Sequence, residues 1–200
     1  MNSSAKPSRR ICVYCGSSEA ADHSYLRAAR RLGEALAEAA HTVVYGGGAV
    51  GSMGALADGA LAAGGQVIGI MPHFMAELEW GHACLSELQY VEDMRTRKHL
   101  MLTGSDAVVT LPGGSGTYEE LFEALTLKRL GIYLQPIILV NTNDYFSAFF
   151  ELFEKSIGER FMNPRHRDMW TVVAEPDEVL DVLEHPTAWP ADARDFAPVS

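Results

Sequence analysis

The chain is short of cysteine, of positive charge and of long apolar runs, and each shortage excludes a class of protein. Three cysteines, an odd number, make no disulfide framework in 200 residues. Cys12 and Cys15 are spaced C-x-x-C, yet in ICVYC strand alternation sends them to opposite faces of a sheet, and no second cysteine pair completes a zinc site. They read as two small core residues. Seven histidines are scattered without ligand spacing, so no metal is expected. Sixteen basic against 26 acidic side chains leave a net charge of −10, a surface that repels nucleic acid and anionic membranes. No run reaches the ~20 apolar residues of a membrane helix. The first ten residues, MNSSAKPSRR, lack the apolar core of a signal peptide and read as a disordered leader. The expectation is a cytoplasmic protein with neither nucleic acid nor membrane as partner.

What is present is a regular alternation. Apolar residues make up 48% and charged residues 21%, enough for one domain with a sizeable core. Strand-like runs stand at 11–15, 42–46, 66–71, 88–91, 106–111, 136–141 and 171–175, separated by helical patterns. Leu26, Ala29, Leu32, Leu36 and Ala39 mark the first helix, over 22–40. Others are expected near 93–104, 117–131 and 145–157, with a last one opened by Pro176 and Asp177. Several strands are continuously apolar, which predicts an α/β fold: a doubly wound parallel sheet of about seven strands with helices on both faces. No repeat, linker or low-complexity block interrupts it. The domain is expected over 11–185, with a proline-bearing tail over 186–200 that wraps the surface or is loose.

Ligands of such sheets bind beyond the carboxyl ends of the strands. Three glycine-bearing loops leave strand ends here: CGSS (15–18), YGGGAVGSMG (45–54) and LPGGSGT (111–117). Gly16 and Ser17 in the first, and Gly47, Gly48 and Met53 in the second, are candidate binding positions. Gly46, Gly48 and Gly51 also match G-x-G-x-x-G, but they follow the second strand and no acidic residue stands at the end of the next one for a ribose. The alternative is that these glycines serve tight packing. In the third loop, Gly113, Gly114 and Gly116 leave amides unshielded, Ser115 and Thr117 add hydroxyls, and a helix follows. That outlines a monophosphate cradle. The Gly-Lys-[Ser/Thr] of a triphosphate loop is missing.

Glu119 and Glu120 close this loop. With a helix starting near Thr117 they occupy its first turn, where either alone is a dipole cap. Adjacent residues diverge by ~100°, so one of them is free to face the crevice beside a sugar. Upstream, Arg95, Arg97 and Lys98 open a helix against its dipole, which fits either a ligand or a solvated face. Leu121, Phe122, Leu125, Leu127, Leu130 and Ile132 exceed one buried stripe, an excess that fits a homodimer or a helix sandwiched within the chain.

PGGSGTYEE, Arg97-Lys98 upstream of it and the GGGxxGxMG of Gly46 to Gly54 together resemble the LOG ("Lonely Guy") family of cytokinin riboside 5′-monophosphate phosphoribohydrolases, often labelled possible lysine decarboxylases. The resemblance spans about residues 11 to 183. It implies a Rossmann-like homodimer that needs no cofactor and cleaves the N-glycosidic bond of AMP or prenylated AMP, giving free base and ribose 5-phosphate. By position it implies Arg97 and Glu120 as the catalytic pair. Substrate positions are Arg97, Lys98, Gly113 to Glu119 (with Ser115, Gly116, Thr117 and Tyr118), Thr126 and Glu79, with Glu77 an alternative to the last. The family's MHxRK reads Met94-Arg95-Thr96-Arg97-Lys98 here, a departure that bears on fine substrate preference. No residue pattern suggests pyridoxal phosphate. The competing reading is a non-catalytic nucleotide or molybdenum-cofactor carrier of the same fold class.

Overall fold

The structure, a computed structural model, describes residues 7–76, 78 and 81–197. Residues 1–6 of the expected leader, the end of the tail and both Glu77 and Glu79 lie outside the described residues. The seven strands are β1 (Arg10–Tyr14), β2 (Thr42–Tyr45), β3 (Gln66–Pro72), β4 (Glu87–Val91), β5 (Ala107–Thr110), β6 (Ile137–Val140) and β7 (Thr171–Val173). All pair in parallel, in the order β4-β3-β2-β1-β5-β6-β7. The order reverses between β1 and β5, where Tyr14 stands opposite Thr110, so these two strands end level and their loops leave side by side. A crevice at that reversal is where such sheets hold ligands.

Strand alternation divides the core in two. Cys12, Tyr14, Val44, Ile70 and Val108 face α4 (Met94–Leu102), α5 (Ser115–Arg129) and α6 (Ser147–Gly158). Ile11, Val13, Cys15, Val43 and Val109 face α1 (His23–Glu38), α2 (Gly51–Ala62) and α7 (Val179–Glu184). The two cysteines therefore lie in separate cores, and burial pushes both thiols up, as expected of packing residues.

Small residues let α1 and α2 touch backbone to backbone. A Cβ on Gly33 would stand 2.1 Å from the Leu56 carbonyl oxygen, and one on Gly59 would stand 2.2 Å from that of Arg30. Asp22 caps α1 by accepting from the Ser24 N–H at 2.8 Å. A short helix, α3 (His73–Ala76), breaks the long loop that the sequence leaves featureless. The sheet also takes in Arg10, the last residue of the expected leader.

The tail docks as far as it is described. Trp189 is buried, and its Nε1–H donates at 2.8 Å to the Lys128 carbonyl near the end of α5, which also accepts from the Gly131 N–H at 3.0 Å. Arg129 reaches back to the Ala197 carbonyl at 3.1 Å. Trp189→Ala is expected to destabilise the fold by about 3 kcal/mol, the range for deleting a buried aromatic. Urea unfolding checks this, and an unchanged midpoint would show that the tail is only laid on the surface.

Candidate active site

Asp93 fixes the start of α4, its carboxylate accepting from the Thr96 N–H at 2.7 Å. One turn further, Arg97 points inward and is only 4% exposed. Its Nε donates to the Ile70 carbonyl at 3.1 Å and its Nη2 to the Gly46 carbonyl at 3.5 Å, so the ends of β3 and β2 both hold it. Its Nη1 stands 3.4 Å from Oε1 of Glu120, which is 5% exposed. The guanidinium explains Gly46. A Cβ there would lie 2.0 Å from Nη2.

The other glycines of this loop also have internal reasons. Gly47 adopts φ +83° with Met71 and Leu88 against it, and its carbonyl accepts from the His82 N–H at 3.0 Å. The Gly48 carbonyl accepts the Tyr45 hydroxyl at 3.1 Å. Met53 donates its N–H to the Gly16 carbonyl at 3.1 Å, stitching the second loop to the first. Close packing accounts for Gly46, and a positive φ for Gly47 and Gly51.

The third loop differs. α5 starts at Ser115, with Gly114 as its N-cap, two residues earlier than the hydroxyl-rich sequence suggests. Its first turn carries no acidic residue, so Glu119 and Glu120 fall in the second turn and neither caps the helix. The first helical bond runs from the Tyr118 N–H to the Gly114 carbonyl at 3.1 Å, which leaves the amides of Ser115, Gly116 and Thr117 without helical partners. A Cβ on Gly114 or Gly116 would meet nothing within 4 Å. These glycines are not demanded by packing, and they keep the amides approachable. Gly113 is different: a Cβ there would strike the buried Thr117 hydroxyl at 2.1 Å.

Glu119 and Glu120 diverge as helical geometry requires. Glu120 enters the interior beside Tyr14, Cys12 and Cys15, and burial pushes its carboxyl up to about 7 although Arg97 opposes the shift. Glu119 turns outward and joins Glu123, one turn on, in holding the Lys98 ammonium, with Glu123 at 2.6 Å. Both carboxylates raise the Lys98 pKa.

Two other candidates stand apart. Thr126 donates its hydroxyl to the Phe122 carbonyl at 2.7 Å. It lies eleven residues beyond Ser115, about 16 Å along the helix, and faces an apolar groove with Phe122, Leu152 and Met162. This chain does not bring it to the loop. Arg95 is exposed on the first turn of α4. The sequence reading missed Tyr145, whose hydroxyl donates to the Gly113 carbonyl at 2.5 Å, and Ser52, buried at the start of α2. With Ser17, Ser18 and Tyr25 they line a cleft of about 330 Å³ beside the loop.

Comparison with known proteins agrees with the motifs. The pattern of the family described as "Possible lysine decarboxylase" matches residues 53–183. A probable cytokinin riboside 5′-monophosphate phosphoribohydrolase of Oryza sativa subsp. japonica is 39% identical over 176 residues, which is 88% of this chain and 70% of the relative. The chain belongs to the LOG family. A cytokinin riboside 5′-monophosphate phosphoribohydrolase of Rhodococcoides fascians is 37% identical over 93% of this chain and 95% of its own. Among solved structures, the molybdenum cofactor binding protein of Rippkaea orientalis superposes with a TM-score of 0.70 at 24% identity, over 90% of this LOG chain and 98% of its own. The molybdenum cofactor carrier protein of Chlamydomonas reinhardtii gives 0.68 at 20%, over 90% and 98%. At these identities the likeness is one of fold.

The displaced Glu120 pKa has a thermodynamic consequence. Its folded-state value of about 7 lies above the unfolded one, so the native state binds the proton more tightly. The contribution is therefore full below about pH 4 and is lost as pH rises through about 7. Glu120→Gln escapes this loss. Its stability relative to the parent is expected to climb between pH 4.5 and 8, by on the order of 3 kcal/mol, in denaturant titrations at several pH values. A pH-independent difference would refute the buried, displaced carboxyl.

Proposed function

We propose that this LOG-family chain hydrolyses the N-glycosidic bond of AMP or of an N6-substituted AMP, releasing the base and ribose 5-phosphate. The observation that carries the reading is the placing of one helix. The open amide end of α5 is an anion site, and one turn further the same helix turns Glu120 into a buried pair with Arg97. A nucleoside monophosphate has that polarity, a phosphate at one end and a ribose that becomes cationic at the other. The relatives named as phosphoribohydrolases support it.

In this reaction the C1′–N bond breaks and its electron pair leaves with the base, which takes up a proton. Water supplies the new C1′–O bond and gives up a proton. Glu120, with its carboxyl near 7, is suited to stabilise the oxocarbenium-like state as carboxylate and to receive the proton of the attacking water. Arg97 is held to two backbone carbonyls, and its role is to orient Glu120 and favour its ionised form. Neither Lys98 nor Lys128 fits decarboxylase chemistry through a Schiff base, which needs an amine of lowered pKa that a substrate can reach. Lys98 is raised by its two carboxylates, and Lys128, lowered to about 8, is buried at the far end of α5 on the Gln135 carbonyl.

AMP is expected to be cleaved and adenosine not, since loss of several charge-assisted contacts removes most transition-state binding. Glu120→Gln is expected to bind AMP with turnover reduced by roughly 10²–10⁴, and Glu119→Gln to be milder, in an assay of free adenine. AMP bound but left intact by the parent protein would favour the carrier reading. Near-normal turnover of a folded Glu120→Gln would reject the catalytic assignment.

We further propose a homodimer, formed through α5 and α6, working in the cytoplasm. Leu152 is 51% and Ile132 61% exposed, and with Phe122 and Leu130 they leave an apolar face along α5 without cover in the single chain. In a dimer, Thr126 on this face serves the partner's site rather than its own. No helix among the described residues is long and apolar enough to cross a membrane. Light scattering at micromolar concentration is expected to give twice the 21.8 kDa chain mass, and a monomer would overturn the dimer.

A further inference from the structure

α4 and α5 face each other across a gap. A cleft of about 580 Å³ lies between them, lined by Lys98, His99 and Leu102 of α4 and by Glu123 and Leu127 of α5. Each helix is anchored in the core under the sheet, α4 by Met101 and Leu102 and α5 by Leu121, Ala124 and Leu125, but the cleft keeps their facing sides apart. Close packing of one helix on the other therefore does not set their separation.

Among the described residues, two polar rungs cross the gap. The inner one is Arg97 and Glu120 at 3.4 Å, both buried. The outer one starts one residue further along α4 and bridges two residues of α5. The Lys98 ammonium meets Glu119, and it meets Glu123 at 2.6 Å. Consecutive residues diverge by ~100° on a helix, so one step in sequence turns the first rung inward and the second to the rim. Even at the rim, only 17% of the Lys98 side chain is exposed.

This arrangement is a poor anion site. Its two carboxylates repel an arriving phosphate, and Lys98 would have to leave both to meet one. Glu123 also stands eight residues beyond Ser115, about 12 Å along α5 from the open amides. As a spacer the arrangement is a good one. An ammonium held by two carboxylates one turn apart cannot slide along α5 without lengthening one contact. Arg97, the residue before it, inherits that fixed height. Its bonds to Ile70 and Gly46 tie Nε and Nη2 to the sheet, whereas the contact of Nη1 with Glu120 depends on where α5 stands.

We propose that Lys98 is a positioning residue and not a substrate ligand: clamped on Glu119 and Glu123, it sets the spacing of α4 and α5 that keeps Arg97 on Glu120. Its effect on turnover rests on the hydrolysis proposed above. The clamp itself rests on the two rungs.

The test sets Lys98→Met, which keeps the length and loses the charge, beside the double variant Glu119→Gln/Glu123→Gln, which keeps the lysine and loses its anchors. Either change breaks the clamp. In both, kcat for AMP is expected to fall roughly 10–10²-fold with KM within about twofold, and Lys98→Arg is expected to recover most of the loss. The pH profile separates this from an effect of charge. Burial raises the Glu120 carboxyl, Arg97 and Lys98 of α4 lower it, and Glu119 and Glu123 of α5 raise it, while Tyr14, Cys12 and Cys15, on and just after β1, are held neutral by burial. The acid limb of kcat is therefore expected to move to higher pH in Lys98→Met and to lower pH in the double variant, while the plateau falls in both. Lys98 acting through charge alone would move the limb and leave the plateau. Nitrogen NMR of the Arg97 guanidinium reads the clamp without substrate, and proton exchange at Nη1 is expected to quicken roughly tenfold in both variants. Raised KM with kcat retained in Lys98→Met, tighter AMP binding in the double variant, an unmoved plateau or unchanged exchange at Arg97 would each overturn the proposal. The two readings fail separately. A parent protein that leaves AMP intact sinks the hydrolase, and quickened exchange in both variants then still keeps the clamp.

Discussion

A carboxylate taken out of water has to be answered by a cation, and in this fold that requirement organises the carboxyl end of the sheet. Glu120 is buried, so Arg97 is buried with it, and the guanidinium's remaining N–H groups need acceptors in turn. Those acceptors are carbonyls at the ends of β3 and β2, from Ile70 and Gly46. The residue giving the second carbonyl can carry no side chain, because the guanidinium fills the space. One pair therefore ties together two strands, α4, α5 and the composition of a loop fifty residues away. Replacing such a pair by apolar residues is often neutral or stabilising, so stability is a weak reason for keeping it. Holding a carboxyl at a fixed place, with a pKa near neutrality, is a better one.

The same geometry resolves why a loop with open amides ends in two glutamates. They are neighbours in sequence but not in environment. Glu119 belongs to the surface, where with Glu123 it neutralises Lys98 and ties α5 to α4. Glu120 belongs to the interior. Neither competes with an anion at the helix start, because the helix begins two residues earlier than its composition suggests and the first turn is free of acid.

What the sequence made legible was whatever repeats at a fixed period. Seven apolar runs became seven strands, and the alternation within ICVYC placed Cys12 and Cys15 in separate cores. The start of α5 was misplaced because Ser115 and Gly116 are poor helix formers, while packing of Leu121 and Leu125 extends the helix back through them. Tyr145 and Ser52 carried no local signal. One reaches a carbonyl thirty-two residues away, and the other looks like any small residue of a helix packed tightly on its neighbour. The tail was read from its prolines, but a single tryptophan decides its position. The glycines after β2 taught the opposite lesson. They match a nucleotide motif, and two of these glycines also have internal reasons, Gly46 the Arg97 guanidinium and Gly47 a positive φ.

A strongly acidic chain that binds a phosphate has two options, a cluster of basic side chains or a wall of backbone dipoles. Here the basic residues near the crevice are already committed, Arg97 to Glu120 and Lys98 to Glu119 and Glu123. What remains is the backbone. Amides at a helix start present partial charges that cannot be neutralised by a passing carboxylate side chain, and glycine leaves them approachable. The net charge of −10 then acts at longer range. It disfavours nucleic acid and other polyanions, while the cleft beside the loop has hydroxyls, glycine backbone and the apolar Ala21 and Pro112 on its wall and no carboxylate. On the proposed function, selectivity for a small phosphate over a polymeric one follows from where the negative charge is placed, on the outer surface and not on the wall of the cleft.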